Sequence, residues 1–185
     1  MKLLKFFIII FISLSTSIKA DLYKNLINQL EDGGKLIFIR HAYAPGNGDP
    51  AGFNLNDCST QRNLSDDGRK QAQRIGEFFT KNKIEIDKVL SSEWCRCKET
   101  AKIAFKNYST NSFLNSFYSS KFSKNKDKQV KAFNYYIKNL EIEKNLIFVT
   151  HYVFISEVLN YGPSSGEIVV SDKNLNIIGS IEIDF

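Results

Sequence analysis

Short apolar runs alternate with amphipathic segments along most of this chain. Three runs rich in Ile, Val, Leu and Phe are bounded by polar residues, which is typical of buried strands: Leu36–Arg40, Asp87–Ser91 and Leu146–Thr150. Apolar residues at helical spacing predict helices between these strands and beside them, over Leu22–Leu30, Asp66–Lys81, Glu93–Asn107, Lys126–Leu140 and 151–161. The alternation predicts an α/β layer fold with a parallel centre.

Three details refine this pattern. In the first predicted helix, one face is formed by Leu22, Leu26, Ile27 and Leu30. Residues 42–64 form a long loop rich in Gly, Pro, Asn and Asp, and a loop of this length inside a compact domain usually has a function. Near the end of the sequence, Glu167–Ser171 and Ile177–Ile183 predict a closing hairpin.

The first 20 residues have the layout of a secretory signal peptide. A short basic start precedes an apolar stretch from Phe6 to Leu14, and small polar residues follow up to Ala20, where cleavage is expected. The predicted organisation is therefore a signal peptide over 1–20 and one domain over 21–185, secreted or periplasmic, with no stable membrane insertion after cleavage. The alternative is an uncleaved N-terminal membrane anchor, because Lys5 and Lys19 closely bracket the apolar core.

Charge does not favour a nucleic-acid partner. The chain carries 25 basic and 20 acidic residues, but three of the lysines lie in the predicted signal, so the mature domain is close to neutral. A nucleic-acid site needs a concentrated basic stripe. The lysine cluster over 121–131 is interrupted by Asp127 and is typical of a solvated helix face.

The two histidines of the chain follow two of the predicted strands directly. His41 comes after the strand that ends at Arg40, and His151 comes after the strand that ends at Thr150. Ligands of open α/β sheets bind at the carboxyl ends of the strands. Arg96 lies just past the other predicted strand, Asp87–Ser91. Arginine donors pair well with phosphoryl oxygens, and a neutral imidazole is a competent nucleophile toward phosphorus. The sequence therefore predicts a phosphoryl-handling site at this sheet edge.

Four motifs in this order resemble the histidine phosphatase superfamily, the phosphoglycerate-mutase-like group. They are Arg40-His41, Leu64-Ser65-x-x-Gly68-x-x-Gln71-Ala72, Ser91-Ser92-x-x-x-Arg96-x-x-x-Thr100-Ala101 and Thr150-His151, and the resemblance covers Lys35 to about Val170. It implies a three-layer α/β/α fold with a mostly parallel central sheet. It further implies that His41 is phosphorylated, that Arg40, Arg96 and His151 bind the phosphate, and that Asn47 and Arg62 are additional phosphate contacts. For Arg62 a loop salt bridge is the alternative.

The chain departs from the family pattern at the general acid. Many members carry a glutamate in the segment that here reads Asn111–Tyr118, which has no carboxylate, and others place an acid where Tyr152 stands. The candidates for the missing acid are Asp49, Asp57 and Glu167. The alternatives are that the loop aspartates cap turns and that Glu167 is an ordinary strand residue.

Three cysteines allow at most one internal disulfide, which export would permit. The resemblance implies that Arg96 points into the pocket, with Cys95 and Cys97 on either side of it. Cys58 lies on the long loop, which is expected to cover the same edge of the sheet. A Cys58–Cys95 bridge is expected, with Cys97 free because relatives often carry a small buried residue there. Three reduced cysteines and a Cys-x-Cys metal site are the alternatives.

The expected function is an exported phosphomonoester hydrolase that acts through a phosphohistidine at His41 without a cofactor or metal. A small phosphorylated substrate is expected, and by analogy with envelope-located relatives it is a sugar phosphate. The alternatives are a phosphotransferase or mutase, a non-catalytic module that binds a phosphorylated ligand, and a metal-dependent site with His41, His151 and cysteines. The sequence leaves the physiological substrate, the general acid and the oligomeric state open.

Overall fold

The computed structural model describes residues 20–184, so the predicted signal peptide lies outside the described residues apart from Ala20. The helices are α1 (20–31), α2 (Asp66–Lys81), α3 (Cys95–Phe105), α4 (Ser120–Ser123), α5 (Lys126–Lys138) and α6 (Tyr152–Leu159). The strands are β1 (Leu36–Arg40), β2 (Ile86–Ser91), β3 (Ser109–Thr110), β4 (Asn145–Thr150), β5 (Ile168–Ser171) and β6 (Ile177–Ile181). Two 3-10 turns, Cys58–Thr60 and Ser112–Leu114, lie in the connections.

The strands form one sheet in the order β3-β2-β4-β1-β5-β6. β3, β2, β4 and β1 are parallel, whereas β5 pairs antiparallel with β1 and β6 pairs antiparallel with β5. The mostly parallel sheet and the closing hairpin are thereby confirmed. Since Arg40 at the end of β1 is in register with Thr150 at the end of β4, the residues that follow both strands leave the sheet side by side.

Successive side chains of the central strands pack on opposite faces, which places helices in layers on both sides. On one face, Ile37, Ile39, Ile147 and Val149 pack with apolar residues of α1, α2 and α3. On the other face, Leu36, Phe38, Leu146 and Phe148 pack with the Ser112–Leu114 turn, α5 and α6. The predicted three-layer α/β/α arrangement is confirmed.

The motif at the start of α2 holds the loop that follows His41. Ser65 caps the helix by accepting a hydrogen bond from the Gly68 N–H at 3.1 Å. A Cβ atom on Gly68 would lie 2.0 Å from the Tyr43 carbonyl oxygen, so this close approach requires glycine. Gln71 accepts from the Tyr43 N–H at 2.9 Å and donates to the Ser165 carbonyl at 2.8 Å. These residues therefore act by positioning the site.

Some local predictions need correction. Leu22 does not share the buried face of α1, because 64% of its side chain is exposed, whereas Leu26 and Leu30 are buried. The four-residue helix α4 and the two-residue strand β3 were not predicted, since neither is long enough to show a period. No helix within residues 20–184 is long and apolar enough to cross a membrane.

Candidate active site

Both histidines lie in one buried pocket at the carboxyl edge of the sheet. The His41 N–H donates to the Thr150 carbonyl at 2.9 Å, which joins the ends of β1 and β4. The two imidazole ring centres are 5.5 Å apart, and both residues are almost fully buried. The pocket has a volume of about 350 Å³ and is also lined by Arg40, Arg62 and Arg96. We call Arg40, His41, Arg96 and His151 the phosphoryl site.

His41 presents its Nε2 atom to this site. Its Nδ1 lies 2.8 Å from the Ala42 carbonyl oxygen, which can only accept, so Nδ1 carries the proton and Nε2 keeps its lone pair. Arg96 Nε donates to that Nε2 at 3.2 Å. Burial, together with the nearby charge of Arg96, lowers the pKa of His41 well below its usual value. The imidazole is therefore neutral at neutral pH, which is the form that can attack phosphorus.

His151 is held against the other side of the site. Its Nε2 is 2.9 Å from Ser92 Oγ and 3.5 Å from Cys97 Sγ. Burial and then the charge of Arg96 lower the pKa of His151 well below its usual value, so this ring is neutral as well. Burial raises the pKa of the Cys97 thiol to about 12, and the thiol therefore stays protonated.

Arg96 forms a buried ion pair with Asp49 from the long loop. Arg96 Nη1 donates to Asp49 Oδ1 at 2.7 Å, and Nη2 lies 3.3 Å from Oδ2. The same carboxylate accepts from Trp94 Nε1 at 3.0 Å and from the Arg62 N–H at 3.2 Å. Burial alone would raise the pKa of Asp49, but Arg96, Trp94 and the Arg62 N–H together lower it. Asp49 is thus an ionised carboxylate inside a set of donors suited to an oxyanion.

Arg62 and Asn47 are part of the loop side of the pocket. Both line it. The Arg62 guanidinium donates from Nε to the Gly48 carbonyl at 2.7 Å and also donates to the Ala44 carbonyl. Arg62 makes no ion pair within residues 20–184, so the loop salt bridge is not found there. Arg62 instead fixes the course of the loop that carries Asp49.

The Arg40 side chain makes fewer hydrogen bonds than that of Arg96. Its Nη1 donates to the Pro163 carbonyl at 2.9 Å, and its guanidinium carbon lies 5.5 Å from the centre of the Tyr152 ring. Arg40 Nε is buried and has no hydrogen-bond partner in the described part of the chain. A buried donor without a partner is costly, and no acid in the described part of the chain forms an ion pair with Arg40.

The structure separates the three candidate acids. Asp49 lines the pocket, but Asp57 and Glu167 are not among the described residues that line it. Asp57 is exposed and accepts from the Ser59 N–H at 3.0 Å, capping the Cys58–Thr60 turn. Glu167 is buried and accepts from the Tyr161 hydroxyl at 2.5 Å and the Ser164 N–H at 2.7 Å. Asp57 and Glu167 therefore make structural contacts outside the pocket, and neither lines it with the histidines.

The expected disulfide is present. Cys58 and Cys95 are bonded, with their Cα atoms 5.6 Å apart, and Cys97 is a buried free thiol, so this pairing is confirmed. The bridge ties the end of the long loop to the first residue of α3, next to Arg96. Cys95 is consequently unavailable as a thiolate ligand, and residues 20–184 contain no group of three or more His, Cys, Asp or Glu side chains that could hold a metal ion.

Several residues of the site were not singled out from the sequence. Trp94 binds Asp49, and Asn115 Oδ1 accepts from Ser92 Oγ at 3.1 Å beside His151. Phe53 and Phe122 form an outer wall of the pocket with Trp94. The single tryptophan of the chain, inside the Ser-Ser-x-x-x-Arg motif, was the signal that could have pointed to this wall.

Comparisons with known proteins agree with this geometry. A family model described as the histidine phosphatase superfamily (branch 1) matches residues 36–113. No curated protein sequence matches the chain.

Solved structures match the fold over most of the chain at low sequence identity. Phosphoglycerate mutase from Thermus thermophilus has a TM-score of 0.57 and 16% identity, covering 81% of this chain and 99% of its own. The protein histidine phosphatase SixA, solved with tungstate, has a TM-score of 0.54 and 14% identity, covering 81% and 96%. Rv3214 from Mycobacterium tuberculosis has a TM-score of 0.53 and 15% identity, covering 74% and 89%. The match of the superfamily model over residues 36–113 and the fold shared with these solved structures bear out the resemblance to the histidine phosphatase superfamily that the four motifs predict.

Proposed function

We propose that this protein is a metal-independent phosphomonoester hydrolase that works through a phosphohistidine at His41. The observation that carries the proposal is the state of His41: a buried neutral imidazole, with Nδ1 committed to the Ala42 carbonyl and Nε2 facing Arg96. A nucleophile at phosphorus needs an unprotonated nitrogen and nearby cations, and Nε2 is unprotonated because it accepts from Arg96 Nε. The family includes both phosphatases and mutases, as the names of the structural neighbours state.

The remaining groups of the phosphoryl site have electrostatic roles. Arg40 lines the pocket without an ion pair in the described residues, and the Arg96 guanidinium would be free for the phosphoryl oxygens once Asp49 is displaced. The ring centre of His151 lies 5.5 Å from that of His41, and the tautomer with Nδ1–H, in which Ser92 Oγ donates to Nε2, would let His151 donate to the same group. Cations and donors gathered where negative charge develops stabilise the transition state.

Asp49 is the proton donor that the geometry supports best among the three candidates. In this structure it occupies Arg96, the same cation that a phosphoryl group would use. A bound phosphoryl dianion would displace the carboxylate from Arg96 and repel it, and both changes raise the pKa of Asp49. Protonated Asp49 could then donate to the leaving oxygen, and its carboxylate could later accept a proton from the attacking water.

The loop around Asp49 can accommodate such a displacement. Gly48 and Gly52 flank it with φ of +65° and +78°, a backbone region that glycine enters at little cost. The base of the loop is held by the Cys58–Cys95 bridge and by Arg62, which donates to the Ala44 carbonyl. A movement would therefore be confined to the few residues around Asp49.

Hydrolysis is proposed over transfer to a second substrate because the pocket mouth is open. Tyr118 and Tyr152 line it with 66% and 47% of their surface exposed, so water can reach a phosphorylated His41. The non-catalytic binding module remains the second candidate, favoured by the absence of a carboxylate in Asn111–Tyr118, where many family members carry their general acid. Turnover of an aryl phosphate separates the two.

Export and substrate class are also proposed. The apolar N-terminal segment and the disulfide support a secreted or periplasmic protein, because such bridges persist in oxidising compartments. In that setting the substrate is a small phosphorylated molecule, with a sugar phosphate of the cell envelope as the proposed class. No nucleic-acid partner is proposed, because no concentrated basic stripe is present in the sequence.

The test is to trap the covalent intermediate. The purified mature protein is mixed with an excess of 4-nitrophenyl [³²P]phosphate, quenched within milliseconds and digested under alkaline conditions. We expect acid-labile, base-stable radioactivity on the peptide that contains His41, and none in His41→Asn with the same circular dichroism. Turnover without label at His41 would contradict the mechanism, and absence of turnover with tight phosphate binding would favour the binding module.

A further inference from the structure

The pocket is larger than one phosphoryl group requires. Its volume of about 350 Å³ lies within the range of about 300–1,000 Å³ that is typical of sites for small organic ligands. The phosphoryl site occupies its buried end. The remainder lies toward the loop and α4, where the lining changes from arginine and histidine to aromatic residues.

A continuous series of ring contacts connects the two ends. The ring centre of His151 is 5.4 Å from that of Trp94, and Trp94 is 5.5 Å from Phe122 and 5.7 Å from Phe53. Phe53 and Phe122 are themselves 5.7 Å apart. Trp94 is buried, whereas Phe53 and Phe122 are half-buried and line the pocket, so part of their surface faces the space beyond the histidines. Rings with exposed faces at a pocket wall favour a ligand with a flat apolar face.

One cation lies at the rim of this wall. Lys121 is exposed, lines the pocket, and places its Nζ 5.5 Å from the centre of the Phe122 ring. It makes no ion pair within the described residues, unlike Lys126 in the next helix, which pairs with Glu157 at 3.1 Å. Asp49 is the one acid among the described lining residues, and it is bound to Arg96. Lys121 is therefore available to a negatively charged group on a ligand.

We propose that Phe53, Phe122 and Lys121 form a leaving-group subsite for a ring with a flat apolar face and a second acidic group. The ring packs on the two phenylalanines while its phosphoryl group lies in the phosphoryl site, and the acidic group pairs with Lys121. An aryl ring and a pyranose ring share this chemistry. The assignment of the ring as the leaving group rests on the proposed function, whereas the subsite itself is defined by binding.

The experiment measures dissociation constants of phosphonates by calorimetry, because phosphonates carry the phosphoryl charge but cannot be hydrolysed. Phenylphosphonate is compared with methylphosphonate, and 4-carboxyphenylphosphonate with phenylphosphonate, in the mature wild-type protein, Phe122→Ala, Lys121→Ala and Lys124→Ala. Lys124 is the matched control, since it is an exposed lysine of the same segment that does not line the pocket. Glucose 1-phosphate, tested against methyl phosphate in His41→Ala, distinguishes a saccharide ring from an aryl ring.

We expect phenylphosphonate to bind the wild type about 10-fold more tightly than methylphosphonate, and Phe122→Ala to remove most of this preference. The added carboxylate should tighten binding by about 2- to 5-fold in the wild type and in Lys124→Ala, but not in Lys121→Ala. The subsite would be overturned if phenylphosphonate and methylphosphonate bound equally and glucose 1-phosphate bound no more tightly than methyl phosphate. It would also be overturned if Lys124→Ala lost the gain from the added carboxylate as fully as Lys121→Ala. A protein that binds these ligands as expected but shows no turnover would contradict the hydrolase alone.

Discussion

The two arginines that flank His41 differ in how the protein uses them. On the loop side, Arg96 is buried, and its guanidinium contacts His41 Nε2 and both carboxylate oxygens of Asp49. On the strand side, Arg40 donates to the Pro163 carbonyl, while its buried Nε has no described partner. One half of the phosphoryl site is thus occupied by an internal carboxylate, whereas no acid in the described residues pairs with Arg40 in the other half. A phosphoryl group would therefore have to compete with Asp49 for Arg96, but with no described acid for Arg40.

His41 lies between the two arginines, and its replacement should lower activity more than any other change. His41→Ala should lower kcat by at least about 10⁴-fold, because removal of a covalent nucleophile leaves only electrostatic catalysis. Steady-state rates with 4-nitrophenyl phosphate measure the loss. A kcat of His41→Ala within about 10-fold of the wild-type value would show that His41 is not the nucleophile, and the comparison of its two flanking arginines would lose its basis.

Replacing each arginine by lysine tests the difference between the two sides. Arg96→Lys should lower kcat/KM by about 10²- to 10³-fold, because lysine cannot supply the paired planar donors that contact His41 and Asp49 together. Arg40→Lys should cost only about 10-fold, since one cation and one donor remain. Equal losses in the two variants would contradict an asymmetric site.

Asp49→Asn should remove the internal anion from Arg96 on the loop side of the site. With an alkyl phosphate, kcat should fall by about 10²-fold because the proton donor is lost, and the loss should be much smaller with 4-nitrophenyl phosphate, whose leaving group needs little protonation. The dissociation constant of vanadate should decrease severalfold, since Arg96 no longer carries an internal anion. Asp87→Asn, an exposed carboxylate outside the pocket, is the control. Weaker vanadate binding in Asp49→Asn would show that Asp49 supports the anion site instead of competing for it.

The disulfide lies on the loop side of the site, where it joins Cys58 to Cys95. Cys58 and Cys95 are 37 residues apart, so on the loop-entropy model Cys58→Ser with Cys95→Ser should reduce the free energy of unfolding by roughly 3–4 kcal/mol. Urea denaturation measures this change. Dithiothreitol should lower the midpoint of the wild type similarly and leave that of the double variant unchanged. A wild-type midpoint that does not respond to full reduction would contradict a role for the bridge in holding the loop.

The two buried histidines predict a loss of stability in acid. Burial and Arg96 lower both pKa values, so below about pH 6.5 the unfolded chain binds protons that the folded protein does not. The free energy of unfolding is then greatest above about pH 6.5 and falls as the pH decreases, by up to about 1.4 kcal/mol per histidine per pH unit. Urea denaturation between pH 8 and pH 5 measures it. Constant stability across this range would show that the histidines titrate normally.

The accuracy of the sequence predictions follows the periodicity of each segment. The bounds of β1 and α2 agree with their predictions, because Leu36–Arg40 is a continuous apolar run and Ser65 is a strong cap before a regular helix. Helix α3 begins at Cys95 and ends at Phe105, inside its predicted range, because Trp94 lies in extended backbone before it. Residues 115–119 show no period, and they form an irregular segment in which Tyr118 lines the pocket.

By itself the sequence determined the layers, the parallel centre and the meeting of His41 with His151, because alternation and strand ends are local properties that combine at one sheet edge. The tertiary structure decided which carboxylate enters the pocket. The sequence left Asp49, Asp57 and Glu167 as equal candidates. Long-range contacts from Arg96 and Trp94 bring Asp49 into the pocket, whereas Asp57 and Glu167 bind near neighbours in the chain, Ser59 and Tyr161. A loop without a period does not predict its long-range contacts, and these decide which of its side chains reaches the site.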